Sequence, residues 1–196
     1  MKTLETARLI LRPFRERDAA DFFAYASLPD VGPNAGWKPH ESIEESRKIL
    51  REFIEEDEIW ALEDKISRKV IGSLGLHTDS GRSNPKGRMM GYCLSPAFWG
   101  KGLMPEAAER ALRFAFEDLE LDLVWISHYP QNSRSKRVIE KLGFVYEGTL
   151  RQATRRYDGA VLDRVSYSMT REEWEKGRQE KGEGHGTGFA HTAKVD

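Results

Sequence analysis

The most informative segment of this chain reads Pro96-Ala97-Phe98-Trp99-Gly100-Lys101-Gly102-Leu103-Met104-Pro105-Glu106-Ala107-Ala108. Two glycines one residue apart follow a strand-like run that ends at Leu94, and a helical pattern begins directly after them. Such a loop turns tightly and leaves backbone N–H groups unshielded at the positive end of a helix dipole. The segment therefore predicts a strand, a phosphate-binding turn and a helix, in that order.

A second segment follows about one helix and one strand later. It reads Asn132-Ser133-Arg134-Ser135-Lys136-Arg137-Val138-Ile139-Glu140-Lys141-Leu142-Gly143-Phe144. Between the two segments, residues 104–119 predict an amphipathic helix and residues 123–126 predict a short buried strand. The strand-helix-strand passage from 88 to 127 predicts a right-handed parallel crossover.

These two segments, in this order, resemble the GCN5-related N-acetyltransferase (GNAT) superfamily, in particular its RimJ/RimL-like branch. The resemblance rests on Trp99, Gly100, Gly102, Glu106 and Ala107 in the first segment, and on Asn132, Ser135, Glu140, Lys141, Leu142, Gly143 and Phe144 in the second. Met104 departs from the pattern, because a small residue is usual there. An opening strand over 6–13 and a closing hairpin near Asp158-Gly159 extend the resemblance to residues 4–175.

The resemblance implies the GNAT fold, an α/β fold of the α+β type. Its sheet is mixed, mostly antiparallel and twisted, with one parallel strand-helix-strand crossover and helices on both faces. We expect a single N-acetyltransferase domain over residues 1–176, since one domain suits this length. Residues 177–196 are Gly-rich and polar, which is typical of a disordered tail.

Composition narrows the environment and the partners. The 196 residues include one cysteine, so no intrachain disulfide forms and a reducing, cytoplasmic location is expected. The 31 basic and 32 acidic residues give a net charge of −1, which argues against nucleic-acid binding. No apolar run is long enough for a membrane span, so no membrane partner is expected. The sequence leaves open whether the protein is a monomer or a homodimer.

The resemblance implies acetyl-CoA as the cofactor, with CoA as the product. The residues expected to bind it are Tyr92, Cys93, Leu94, Trp99, Gly100, Lys101, Gly102, Leu103, Met104, Asn132, Ser135 and Arg137. Backbone amides from Gly100 to Met104 would take the pyrophosphate, and the backbone at residues 92–94 would take the pantetheine arm. The Cys93 side chain is interpreted as a buried filler, since no motif-spaced cation or histidine lowers its pKa.

Asn132 and Ser135 are the predicted catalytic residues. The resemblance implies that Asn132 holds the pantetheine amide and that Ser135 places a hydroxyl near the thioester sulfur. Helix capping is the alternative role for a polar residue here, and Ser133 would serve it equally well. Many superfamily members have a tyrosine seven residues after the asparagine to protonate the leaving thiolate, but here that position is Ile139.

The acceptor side is less defined. Trp37 and His40, in a Pro/Gly loop over residues 28–40, and His77, at a strand end, are the predicted substrate-binding residues. A loop of this length is often functional, although Trp37 would equally fasten the loop to the core. The five histidines lack metal-ligand spacing, so we predict no metal.

No general base is evident in the sequence. The resemblance points to residue 154 for a glutamate base, but that residue is Thr154. His77, Glu147, Tyr157 and Asp158 remain as candidates for the base.

These features predict an acyltransferase that moves the acetyl group of acetyl-CoA to a primary amine by direct attack in a ternary complex. Because an α-amine titrates at about 7.7–8.0 and a lysine at about 10.4, a site with a weak base favours a protein or peptide N-terminus. A small-molecule amine (amino acid, polyamine or antibiotic) is the alternative acceptor. A catalytically weak acyl-CoA-binding regulatory module is the alternative class.

Overall fold

A computed structural model describes residues 1–78 and 81–183. Within them the chain forms an eight-stranded sheet of order β1-β2-β3-β4-β5-β6-β8-β7. The strands are β1 Leu4–Glu5, β2 Leu9–Pro13, β3 Ile59–Asp64, β4 Val70–His77, β5 Gly87–Leu94, β6 Leu123–His128, β7 Val145–Arg155 and β8 Val161–Thr170. All neighbouring strands pair antiparallel except β5 and β6, which are parallel. This arrangement confirms the predicted mixed sheet.

Helices cover both faces of the sheet, as predicted. They are α1 Ala19–Ala26, α2 Gly32–Ala35, α3 Ile43–Glu56, α4 Leu103–Arg113, α5 Ser133–Leu142 and α6 Arg171–Glu183. Buried residues of α4 and α5 join one core cluster with the strands, and buried residues of α1 and α3 join a second. Two local features differ from the sequence expectation: α2 interrupts the 28–40 loop, and α4 passes into a π-helical turn at Phe114–Asp118.

The parallel strands β5 and β6 separate after a short contact. They pair only at Gly87↔Leu123, Arg88↔Val124 and Met89↔Trp125, whereas β5 continues to Leu94 and β6 to His128. The outer edge of each strand stays paired, β5 with β4 and β6 with β8. The inner edge of β5 beyond Met89 is therefore without a strand partner in the described chain. This divergence opens a gap in the middle of the sheet.

A buried ionic cluster joins β2, β3 and the start of α1. Arg12 donates to both carboxylate oxygens of Asp18 at 2.7 and 2.9 Å, and to Glu63 at 2.7 Å. All three side chains are buried. Because the guanidinium is planar, it satisfies two carboxylates at once and fixes α1 against the sheet.

The predicted disordered tail over 177–196 needs correction in its first part, because α6 continues through Glu183. Trp174 stacks on Phe116 at 5.2 Å, and Arg178 lies over the Trp174 ring at 4.9 Å and pairs with Glu117. These contacts fasten the middle of α6 to the residues that follow α4. Residues 184–196 lie outside the described residues. In the ranges that are described, no helix has the length and apolar character needed to cross a membrane.

Candidate functional site

A cavity of about 400 Å³ lies where β5 and β6 separate. Of the twelve residues predicted to bind the cofactor, the lining includes Tyr92, Cys93, Leu94, Trp99, Gly100, Gly102, Leu103, Met104, Asn132, Ser135 and Arg137. Lys101 is the exception, since its ammonium group lies over the Phe98 ring at 5.0 Å. Two distant segments of the chain thus meet around one space, beside the unpaired edge of β5.

The glycine loop forms one wall of this cavity. Gly100 and Gly102 both have φ of +73°, a conformation that side chains with a Cβ rarely adopt. Gly102 is the N-cap of α4, and no side chain caps the helix there. The helix begins at Leu103, two residues before Pro105. The N–H groups of Leu103 and Met104 therefore belong to a first turn beside the cavity, where the helix dipole favours an anion.

Arg8 holds this loop from outside the cavity. Its backbone N–H donates to Glu106 Oε1 at 2.9 Å, its Nε to Glu106 Oε2 at 2.6 Å, and its Nη1 to the carbonyl of Lys101 at 2.8 Å. Burial opposes ionisation of Glu106, but hydrogen bonds from Thr6 and Arg8 outweigh it and lower the pKa of that carboxyl. Sequence reasoning did not assign Arg8 a role in the site, although it belongs to the opening strand that supported the resemblance.

Asn132 serves both as a helix cap and as a tether. Its side-chain oxygen accepts from the backbone N–H of Ser135 at 3.1 Å, which is the capping role considered as an alternative. Its Nδ2 donates to the carbonyl of Asn34 in α2 at 3.3 Å. Asn132 therefore fixes both α2 and the start of α5 at the cavity, and its amide reaches the lining from a defined position.

Ser135 meets a partner that the sequence did not reveal. The hydroxyl oxygens of Ser135 and Tyr92 are 3.0 Å apart, and the Tyr92 hydroxyl also lies 3.3 Å from the Ser135 carbonyl. Sequence reasoning assigned Tyr92 only a backbone role. Burial raises the pKa of the Tyr92 phenol well above its usual value, against the opposing effect of the hydrogen bond from Ser135. Two neutral hydroxyl groups thus face one cavity.

The outer rim of the cavity is basic. The guanidinium of Arg134 lies 4.1 Å from the centre of the Trp99 ring, and Arg137 and Lys141 also line the cavity. Stacking fixes Arg134 over the aromatic wall, where a cation is favoured by the ring face. This rim, together with the glycine loop, gives the cavity two positions suited to phosphate groups.

None of the three predicted substrate-binding residues, Trp37, His40 and His77, lines this cavity. His40 is buried, with Nδ1 2.7 Å from the Ser46 hydroxyl and its ring edge-on to Phe22. Burial lowers the pKa of His40, in spite of Glu45 nearby. Trp37 packs on the His40 ring and belongs to the second core cluster. His40 and Trp37 thus pack together beside α1 and α3, and their assignment to substrate binding stays a prediction.

His77 occupies a different position, on the face of the sheet that α1 and α3 cover. A Cβ placed at Gly75 would be 2.7 Å from His77 Nε2, and one at Gly91 would be 3.3 Å from it. The ring thus lies over two glycines on adjacent strands. Its Nδ1 is 3.7 Å from Glu58. Burial lowers the pKa of His77, against the raising effects of Glu58 and Glu56, so the ring is neutral at pH 7.

A second cavity, of about 320 Å³, lies farther along the sheet. Its lining includes Met89, Trp125, Ser127, Glu147 and Arg164. Alternate residues of a strand share a face, so Cys93, Gly91 and Met89 form one row on β5. Cys93 lines the first cavity and Met89 the second. Gly91, beneath the His77 ring, lies between them.

The other candidate bases are already engaged or exposed. Burial opposes ionisation of Glu147, but hydrogen bonds from Arg82 and Ser168 lower its pKa. Asp158 binds Arg156 at 2.6 Å, which lowers the pKa of Asp158 to about 2. Tyr157 is exposed, and Thr154 lies on β7 outside both cavity linings. No group of three His, Cys, Asp or Glu side chains suited to a metal ion occurs within residues 1–78 and 81–183.

Comparison with known proteins identifies the family. Residues 8–145 match the family model described as "Acetyltransferase (GNAT) domain". The Uncharacterized N-acetyltransferase YoaA of Bacillus subtilis is 30% identical over 173 residues, which are 86% of this chain and 96% of that protein. The [Ribosomal protein uS5]-alanine N-acetyltransferase of Escherichia coli is 26% identical over 89% of this chain and 94% of that protein.

A solved structure shows the same fold. Mycobacterium smegmatis RimJ in complex with CoA-disulfide has a TM-score of 0.73 and 22% identity, with 88% of each chain covered. The family match spans both the glycine loop and the Asn132 segment on which the sequence resemblance rested. This chain belongs to the GNAT family of N-acetyltransferases.

Proposed function

We propose that the protein transfers the acetyl group of acetyl-CoA to the N-terminal α-amine of a protein or peptide. The observation that carries this proposal is the cavity at the divergence of β5 and β6. It combines an unpaired strand edge, a glycine loop at a helix start and the Tyr92–Ser135 hydroxyl pair. GNAT enzymes use acetyl-CoA, and the M. smegmatis RimJ structure carries a CoA derivative.

The residues present fit the three parts of acetyl-CoA. The glycine loop and the first turn of α4 offer N–H groups to a pyrophosphate. The free edge of β5 over Tyr92, Cys93 and Leu94 offers backbone groups that an extended pantetheine arm is able to pair with, as an added strand would. Arg134, Arg137 and Lys141 surround the rim, where they suit the ribose phosphate.

When bound, acetyl-CoA supplies an activated thioester, so no covalent enzyme intermediate is needed. The chain's part is to position it and to stabilise charge. A backbone N–H on the free edge of β5 would donate to the carbonyl oxygen of bound acetyl-CoA as negative charge develops there. A single donor of this kind lowers a barrier by about 3–4 kcal/mol.

Proton chemistry and one relative support the proposed acceptor class. The E. coli relative is named for the alanine of ribosomal protein uS5. An α-amine at about 7.7–8.0 is partly neutral near pH 7.5, whereas a lysine at about 10.4 is almost wholly protonated. A site whose carboxylate candidates are paired with arginines has no strong base for a lysine. An N-terminal α-amine therefore suits this site best.

We propose that His77 accepts the proton that the acceptor amine loses. Its neutral ring lies over Gly91, in the row that leads from the cofactor cavity at Cys93 to the second cavity at Met89. An amine that reaches β5 along this face would meet the ring directly or through one water. Glu58, beside Nδ1, favours the tautomer that leaves Nε2 free to accept a proton.

The test uses the purified protein, acetyl-CoA and matched peptide pairs. One peptide has a free N-terminal alanine and no lysine, and its partner has a blocked N-terminus and an internal lysine. Thiol release and the mass of the product are measured for each. We expect faster transfer to the free N-terminus. Preferential transfer to the blocked lysine peptide contradicts the proposal, as does transfer only to small amines. Acetyl-CoA binding by calorimetry without transfer to any amine would identify a regulatory module instead.

A further inference from the structure

Tyr92 is a partly buried tyrosine whose hydroxyl group bonds a residue of the cavity wall. Its hydroxyl is 3.0 Å from the Ser135 hydroxyl, and both residues line the cavity proposed for acetyl-CoA. Tyr25, by comparison, is fully buried and lies outside that lining. Of these two tyrosines, Tyr92 is the one that lines the cavity.

Many GNAT enzymes protonate the leaving thiolate with a tyrosine at the position that Ile139 occupies here, and isoleucine has no proton to give. Ile139 is fully buried in the first core cluster, one turn beyond Ser135 on α5. A tyrosine hydroxyl instead reaches the start of α5 from β5, the strand opposite. The two oxygens of Tyr92 and Ser135 come from segments 43 residues apart in the chain. In this fold the phenol at the cavity therefore comes from β5 and not from position 139 of α5.

We propose that Tyr92 is a positioning residue that orients the Ser135 hydroxyl toward the departing sulfur. Once Ser135 has given its proton to the sulfur, Tyr92 supplies Ser135 with a new one. The inference rests on the proposed acetyl transfer. It assigns Tyr92 a role through its side chain, in addition to the backbone contacts of its strand. Ser135 remains the group in contact with the sulfur.

The proton balance of the step is as follows. The amine nitrogen forms the new N–C bond, the C–S bond breaks, and the proton lost from nitrogen passes to His77 or to water. Ser135 gives its hydroxyl proton to the sulfur, which leaves as a thiol. Tyr92 gives its phenol proton to Ser135, and water returns a proton to Tyr92. A proton taken up by His77 passes on to water, so the enzyme ends in the state in which it began, and no oxidant or further reactant is required.

The surroundings of Tyr92 keep it ready as a donor. Burial raises the pKa of the phenol, so it stays protonated throughout the pH range in which an α-amine reacts. The nearby Ser135 carbonyl, at 3.3 Å, holds the phenol oxygen when the Ser135 hydroxyl turns away. Within residues 1–78 and 81–183, no charged side chain forms a hydrogen bond with this phenol.

The decisive experiment compares Tyr92→Phe, Ser135→Ala and the double variant. Tyr92→Phe removes one oxygen and keeps the ring. We expect kcat to fall at least about tenfold while the Kd of acetyl-CoA stays within about twofold. Because Tyr92 acts through Ser135, the double variant should have the kcat of Ser135→Ala alone. Tyr146→Phe is the matched control, since its hydroxyl bonds Thr149 on the exposed strand β7.

A second readout does not depend on turnover. Hydroxyl groups that donate to the sulfur stabilise a thiolate, so bound CoA should have a lower thiol pKa than free CoA. The thiolate absorbance of bound CoA, followed against pH, measures this. Tyr92→Phe should move the thiol pKa back toward the free value, and Ser135→Ala should move it at least as far.

Either of two results would overturn the inference. One is kinetic: kcat of Tyr92→Phe lies within about twofold of wild type, or the losses in kcat of the two single variants multiply in the double variant. The other is a thiol pKa of CoA that wild-type binding does not lower, a measurement that needs no variant to fold. Failure of the proposed function is separate, since it appears as absence of acetyl transfer by the wild-type protein to every amine tested.

Discussion

Arg8 and Glu106 lie 98 residues apart in the chain and are joined by both backbone and side-chain hydrogen bonds. The backbone N–H of Arg8 and its Nε donate to the two oxygens of one carboxylate. The same guanidinium reaches the Lys101 carbonyl between the two loop glycines. A residue just before β2 thus sets the shape of the loop that precedes α4, without contact with the cavity itself.

Substitution of Arg8 should weaken acetyl-CoA binding. Arg8→Ala removes the contact with Lys101 and leaves Glu106 without its cation, so the loop loses its fixed geometry. We expect the KM for acetyl-CoA to rise about fivefold to tenfold, with Arg8→Lys intermediate because lysine lacks the planar fork. S-acetylpantetheine, which has no pyrophosphate, provides the diagnostic donor.

Activity with S-acetylpantetheine should be equal in wild type and Arg8→Ala. The control variant is Arg47→Ala, which alters an exposed pair with Glu44 on α3. An equal loss of activity with both donors would show that Arg8 supports the fold in general and not the pyrophosphate loop.

Gly102→Val should separate backbone geometry from general stability. Valine is strained at φ +73°, so the loop would leave the conformation that presents its N–H groups. We expect calorimetry to show acetyl-CoA affinity about tenfold lower or worse. Gly159→Val is the matched control, since Gly159 has φ +86° in the distant β7–β8 hairpin. Gly159→Val should bind acetyl-CoA as tightly as wild type, although it should lose about as much unfolding free energy as Gly102→Val. Equal affinities for the two variants would remove the loop from the cofactor site.

The pH dependence of kcat should report His77. Burial lowers the pKa of His77 below its usual value of about 6.5, so the neutral, proton-accepting ring predominates above that pH. With an α-amine acceptor, wild-type kcat should be level above about pH 6.5 and fall at lower pH. In His77→Gln the fall should begin at the amine's own pKa, about 7.7–8.0.

Glu58→Gln tests the same assignment with the ring intact. The Glu58 carboxylate raises the pKa of His77, so its removal should shift the acidic fall of kcat to lower pH. Glu56 also faces His77, and Glu56→Gln should give a smaller shift in the same direction. Acetyl-CoA affinity serves as the folding control for all three variants. A pH profile identical to wild type in His77→Gln would exclude His77 as the proton acceptor.

Arg12→Met should destabilise the protein strongly. It leaves the carboxylates of Asp18 and Glu63 buried without their common cation, at a cost of about 3–5 kcal/mol in unfolding free energy. Arg68→Met is the control, since Arg68 also contacts Glu63, at 3.1 Å, but its side chain is largely exposed. That loss should be below about 1 kcal/mol. Urea denaturation measures both, and similar losses would show that burial of the Arg12 cluster does not matter.

The sequence predicted the fold class because its signals are local. Gly100 and Gly102 mark a turn, and the spacing of apolar residues marks α4 and the strands around it. The cavity lining was also largely anticipated, through two motifs whose order implies that they meet. These predictions depend on short windows, in which backbone preference and periodicity are decisive.

Side-chain partners across long separations were not accessible in this way. Nothing in the sequence near Tyr92 points to Ser135, and nothing near Arg8 points to Glu106. His40 is a further example, since a histidine in a Pro/Gly loop suggests an exposed position, whereas packing on Phe22 buries it. In each case tertiary contacts decide the role of a residue, and only the folded arrangement displays them.

The gap between β5 and β6 also affects how firmly the two halves of the sheet are joined. The sheet's hydrogen-bond ladder joins its two halves through only three residue pairs in the described chain. A molecule that lies along the free edge of β5 takes the place of the missing ladder, so occupancy and mechanical integrity are coupled. Amide protons of β5 and β6 should therefore exchange more slowly, and in concert, once CoA is present. On the proposed function, bound acetyl-CoA would complete the sheet across this gap.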